Sequence, residues 1–163
     1  MKWSDIKDGV WTIAAEPREK GNAGLVRLPS VAVEILAAQS EVVGSPFVFP
    51  GDERRRHKRA DRSPCCFNSW AQQKAKLDAR MPAMPHWTLH DLRRTARSLM
   101  PRAGVPGDHA ERVLGHRITG VEGVYDRYGY ADEKAAALDT LAKLIDQIIN
   151  PPDATNVVQL KSG

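Results

Sequence analysis

The chain has 163 residues, 42% of them hydrophobic, and carries 24 Lys and Arg against 20 Asp and Glu for a net charge of +4. That is enough for one compact core and leaves little room for a second full domain. No apolar run is long enough to span a bilayer, and "MKWSDIKDGV" lacks the apolar stretch of a signal peptide, so a soluble protein is expected. The two cysteines, Cys65 and Cys66, are neighbours, a spacing that rarely closes an unstrained disulfide, and neither a disulfide framework nor a secreted context is indicated.

In chain order, "GVWTIAA" alternates apolar and polar side chains and "LVRLP" is a second short run, with the turn-forming "EKGNAG" between them. This predicts a β-hairpin with Lys20 at its turn. "SVAVEILAAQ" follows as a helix capped by Ser30, with Val31, Ile35 and Leu36 at helical spacing, and "GSPFVFPG" reads as an extended exit. Residues 51–66, "GDERRRHKRADRSPCC", read as a solvated basic loop.

Three helices come next. They are "SWAQQKAKLDARM", then "TLHDLRRTARSLMPRAG" with Gly104 as its stop, then "PGDHAERVLGH" opened by Pro106. Pro101 falls where it is expected to end or kink the second of these one turn early. After "VEGVYDRY", the stretch "DEKAAALDTLAKLIDQII" sets Leu138, Leu141, Ile145 and Ile148 on one stripe of a long amphipathic helix. The tail from Pro151 to Gly163 is expected to be flexible. The predicted class is therefore α+β: a small antiparallel sheet of two to three strands, then a mainly helical body, in one domain over residues 1–150.

Charge is unevenly spread. Residues 51–130 hold 16 basic and 9 acidic side chains, against 5 and 6 before them and 3 and 5 after. A central block of +7 between acidic ends suits a polyanion-binding face, although solvated helices also carry such an excess. Within the block, "HDLRRT" sets His90 and Arg93 three residues apart, on one face of a helix whose other side Leu89, Leu92, Ala96 and Leu99 would fill. An incidental basic face accounts equally well for that hexapeptide alone. Downstream, His116 closes "LGH" and is followed by Tyr125, Tyr128 and Tyr130. Histidines, an arginine, a lysine on a turn and a phenol form a set suited to phosphoryl transfer: cationic donors stabilise the non-bridging oxygens while the phenol attacks phosphorus. Cys65 and Cys66 with His57 or His86 have no zinc-ligand spacing. His57, His86 and His109 are expected to be solvated.

With "WSDI" and "GVWTI" near the start, then "EKGNAGLVRLP", "HDLRRT", "LGH" and the tyrosine of "GVYDRY", residues 2–149 resemble the catalytic domain of the tyrosine recombinases, phage-type integrases in particular. The resemblance implies site-specific recombination of double-stranded DNA through a 3′-phosphotyrosyl intermediate, with neither metal nor cofactor. It assigns Tyr125, nine residues beyond His116, as the nucleophile, Arg93 as a phosphate-clamping arginine, and His90 and His116 as the two site histidines. It makes Lys20 the general acid for the departing 5′-oxygen. Arg94, Arg117, Arg54, Arg55 and Arg56 are expected to contact DNA. The resemblance also implies a cytoplasmic protein, bacterial or phage-encoded, that assembles as a homo-oligomer on DNA through its C-terminal helix or tail.

Family catalytic domains carry a further arginine, in an Arg-x-x-Glu-like context on helices before the "WSDI" strand. The expectation is thus of an incomplete catalytic domain lacking its first helices and weakly active or inactive by itself, with Arg94 or Arg117 the nearest replacements in sequence for that arginine. A non-catalytic DNA-binding module is the alternative, since helix, turn and helix at 89–114 also mimic a helix-turn-helix. An inactive prophage remnant is another.

Overall fold

Asp8 and Gly9 both have positive φ, 50° and 73°, the requirement of a two-residue type I′ turn. They reverse the chain between strand β1 (Ile6–Lys7) and strand β2 (Val10–Ile13), pairing Lys7 with Val10 and Ile6 with Trp11. Strand β3 (Gly24–Arg27) lies antiparallel on the other side of β2, from Ile13↔Gly24 to Val10↔Arg27, giving a three-stranded sheet in the order β1-β2-β3. The computed structural model describes residues 1–13, 24–51, 64–116 and 128–151. The β2–β3 pairing expected from the sequence is present, whereas its connection with Lys20 lies outside the described residues. The start of the "WSDI" strand is instead a 3-10 turn, Trp3–Asp5, closed by the Asp5 carboxylate accepting from the Lys2 backbone N–H at 2.7 Å.

Helix α1 (Ser30–Ala37) has Pro29, not Ser30, at its N-cap. Proline has its φ preset and no N–H to satisfy there. Of the expected apolar stripe only Leu36 is buried; Val31 and Ile35 stand exposed. The segment after it is extended as expected, and Trp3 N–H donates to the Pro46 carbonyl at 3.0 Å while Val48 is buried beneath the N-terminus. The two ends of the basic loop are clasped: Gly51 N–H reaches the Cys65 carbonyl at 2.7 Å and Phe67 N–H the Phe49 carbonyl at 2.8 Å. A side chain at Gly51 would meet the Cys65 Sγ at 2.5 Å, so the clasp requires glycine. Arg54, Arg55 and Arg56, within that loop, lie outside the described residues.

Helix α2 (Trp70–Asp78) buries no residue. Helix α3 (Leu89–Arg102), helix α4 (Gly107–Val113) and helix α5 (Ala131–Ile149) hold the core, where Met100, Val105, Ala110, Ala137 and Leu141 meet. Ala96 and Ala103 pack against this cluster, and small side chains let the three helices approach closely. Gly104, at φ +83°, ends α3 as predicted. The Gly104 N–H bonds to the Pro101 carbonyl and Val105 N–H to that of Met100, a Schellman cap whose apolar closure is the buried Val105 against Met100.

Pro101 does not stop α3: the helix runs through it to Arg102, at the cost of the bond its nitrogen would have made to the Arg97 carbonyl. Leu89 and Leu92 do not join Ala96 and Leu99 in the core, and Leu92 is 59% exposed. On α5 the stripe is likewise split, Leu141 buried and Ile145 and Ile148 exposed. No helix among the described residues is long and apolar enough to cross a membrane.

Candidate active site

The "LGH" motif is a helix terminus. Leu114 is the C-cap of α4, and Gly115, at φ +66°, turns the chain in the left-handed region. Gly115 N–H then bonds to the Arg112 carbonyl at 3.1 Å and His116 N–H to the Glu111 carbonyl at 3.0 Å. This second Schellman cap explains the residue types: only glycine takes that φ without strain, and the next residue is carried back over the last turn. It leaves the Leu114 carbonyl without a helical partner. Arg93, on α3, donates its Nη2 to that carbonyl. A guanidinium at the negative end of a helix is also favoured by the helix dipole.

One turn further along α3, Arg97 Nε donates to Glu111 Oε1 at 2.7 Å. The other oxygen of that carboxylate, Oε2, is hydrogen-bonded to His116 Nδ1. His116 and Arg97 thereby hold the Glu111 carboxyl below its ordinary pKa, the imidazole contributing most. "HDLRRT" and "LGH", 21 residues apart between Arg93 and Leu114, are joined directly by that one bond, and the Arg97–Glu111–His116 chain runs beside it from the next turn of α3.

Beside them lies a cavity of about 380 Å³ between the β2–β3 strands, α3, the end of α4 and the start of α5. Trp11, Ile13 and Val26 form its apolar wall, and Arg93, Arg112 and Lys134 its charged one; no described carboxylate lines it. Three cations against an apolar floor favour an anion over a neutral ligand. The Arg112 guanidinium lies 3.5 Å from the centroid of the Tyr130 ring, a cation–π contact. Tyr130 also meets Tyr128 edge to face at 4.8 Å. The Tyr128 phenol is pushed up in pKa, chiefly by the Glu133 carboxylate.

The expected site residues are thus partly gathered. Arg93 and His116 lie at the same helix end, while His90 is exposed at the start of α3 with no hydrogen bond or ion pair among the described residues and does not line the cavity. Arg94 points elsewhere, to Asp91 at 3.2 Å. Tyr125, Lys20 and Arg117 lie outside the described residues. His109, expected to be solvated, is half-buried, 3.7 Å from Asp108 and tilted against Tyr130. Arg97, Glu111, Arg112 and Lys134 were not anticipated. The first two had signals: Arg97 is four residues after Arg93 on a helix, and Glu111 stands five before His116, the spacing a Schellman cap brings together. Comparison with protein-family models, with curated proteins and with solved structures gives no match to this chain.

Proposed function

We propose that the chain is the catalytic part of a tyrosine recombinase-like enzyme, of that fold type without its first helices, which breaks and rejoins DNA by transesterification. The observation that carries the reading is the Arg93–Leu114 hydrogen bond, which ties "HDLRRT" to "LGH" at the rim of a cavity lined by cations. Either motif alone is weak. Their union brings a guanidinium and an imidazole from two elements to one helix end, Arg93 on the cavity wall and His116 just outside its lining, as a phosphate site needs both donors near one another.

In this reading Tyr125 attacks phosphorus, Arg93 balances charge on a non-bridging oxygen, and His116 contacts the same group. Lys20, in the β2–β3 connection, gives a proton to the departing 5′-oxygen. The phosphotyrosyl bond conserves the energy of the phosphodiester, and the reverse attack by a 5′-hydroxyl reseals the strand. Tyr130 is held against the Arg112 guanidinium, and the negative charge of Glu133 disfavours a phenolate at the exposed Tyr128, which supports the choice of Tyr125.

The helix-turn-helix alternative draws less support: α4 has only seven residues, its end is held by Arg93 and Arg97, and Asp108 in its first turn would meet DNA phosphates. Nicked duplex DNA that traps the covalent adduct tests the proposal, with the chain preceded by an Arg-x-x-Glu-bearing helix of the kind the resemblance implies before Trp3. Tyr125→Phe is expected to abolish the adduct and to leave DNA binding in place, while Tyr128→Phe and Tyr130→Phe still form it. An adduct that survives Tyr125→Phe would overturn the assignment.

A further inference from the structure

The carboxylate of Glu111 has a task that a helix-end ion pair does not require. It lies between two groups from different elements, with Arg97 Nε of α3 on Oε1 at 2.7 Å and His116 Nδ1 on Oε2. An ionised carboxylate only accepts hydrogen bonds, so the proton of that second contact sits on Nδ1 of the imidazole. The depressed pKa of Glu111 keeps it ionised at neutral pH. The ring's other nitrogen, Nε2, is then turned away from Glu111 on a half-exposed side chain, with no partner among the described residues.

We infer that Glu111 is the positioning residue for His116, fixing its Nδ1–H form and ring orientation so that Nε2 is the atom offered to a phosphodiester, with Arg97 anchoring the carboxylate in turn. A carboxylate behind an imidazole sets which nitrogen carries the proton and so what the outer nitrogen can do. The neutral ring presents a lone pair there; the protonated ring presents an N–H donor. The backbone builds the pair, because the Schellman cap bonds His116 N–H to the Glu111 carbonyl and brings the two side chains to one side of the turn. The inference rests on the recombinase reading for what Nε2 meets, but not for the pairing itself.

The test has two arms. Side-chain ¹⁵N NMR of the whole chain at alkaline pH is expected to show His116 in the Nδ1–H form, with Glu111→Ala moving it to the Nε2–H form that a free imidazole prefers. An Nε2–H ring in the unmodified chain overturns the inference whatever the DNA assay gives. In the second arm, Glu111→Ala is expected to slow adduct formation on nicked DNA at least tenfold, part of the ~10²–10⁴ that a positioned acid–base group supplies. It should add nothing in a His116→Ala background, the signature of action through that ring. Glu111→Gln keeps side-chain shape and covers the case in which the alanine variant fails to fold.

Equal slowing by Glu111→Ala with and without His116 would overturn the positioning role. A chain completed before Trp3 with an Arg-x-x-Glu-bearing helix that shows the Nδ1–H ring and yet forms no adduct would count against the recombinase reading while upholding the pairing.

Discussion

The corner where α3, α4 and α5 meet and the two flanking helices, α1 and α2, are held by different means. The corner is fastened three ways: a core around Met100 and Ala110, 1% and 0% exposed, two glycine-terminated Schellman caps, and side-chain ties from Arg93 and Arg97 to α4. The flanking helices bury only Leu36. Helix α2 rests on the Lys74 ammonium over the Trp87 ring at 4.3 Å, on its pair with Asp78 at 2.6 Å, and on the edge-to-face contact of Phe67 with Trp70. Exposed contacts of this kind contribute little each. The difference teaches where chemistry can be kept: side chains that must hold a geometry are mounted on the corner, where caps and core fix the backbone beneath them.

The largest way to break that contrast is to remove core volume. Met100→Ala is expected to cost about 2–5 kcal/mol, whereas Leu77→Ala on α2 should change stability by no more than about 0.5 kcal/mol. Urea unfolding midpoints compare the two, and equal losses would mean that α2 is as well packed as the corner.

Next comes the cap. Gly115→Ala forces a side chain into the left-handed region and should destabilise by roughly 1–2 kcal/mol, with Gly115→Asn milder. Denaturation should also show a smaller effect of Gly107→Ala, since Gly107 has no positive φ and a Cβ there meets nothing within 4 Å.

The smallest effect sharpens the comparison at the start of α3. There the Asp91 carboxylate accepts from the backbone N–H and the hydroxyl of Thr88, both at 2.8 Å. The Thr88 backbone bond, then the Thr88 hydroxyl and Arg94, hold Asp91 at about 2, below its usual 3.8. A depressed carboxylate stabilises the fold fully above its unfolded value and loses that contribution as pH falls through its folded one. Amide exchange should therefore show the first turn of α3 opening between pH 3.8 and about 2, with Asp91→Asn flat over that window.

Much of the architecture was legible in the residues, because it rests on local rules. Gly104 as a stop and the limits of α5 follow from caps and apolar spacing. The Asp8-Gly9 turn is equally written in the chain, as the residue pair that a type I′ hairpin prefers. What could not be read was how far the core extends. Leu89 and Leu92 continue the stripe of Ala96 and Leu99, and Ile145 and Ile148 that of Leu141, yet among the described residues these ends stay exposed; periodicity reports a face and not what covers it. The site divided the same way. Arg93 and His116 were found by motif, but Arg112 and Lys134 reach the cavity from α4 and α5, a convergence that depends on helix packing alone.

The central claim is that Arg93 joins two motifs into one phosphate site, and adduct formation by Arg93→Ala on two nicked DNA substrates tests it most directly. One substrate carries the natural scissile phosphodiester, the other a methylphosphonate in which a charged non-bridging oxygen is replaced by methyl. If Arg93 balances that charge, its loss should slow the natural substrate by ~10²–10³, as removal of a transition-state donor does, and the methylphosphonate far less. Equal slowing on both would contradict the account and leave Arg93 as the cap of the Leu114 carbonyl alone.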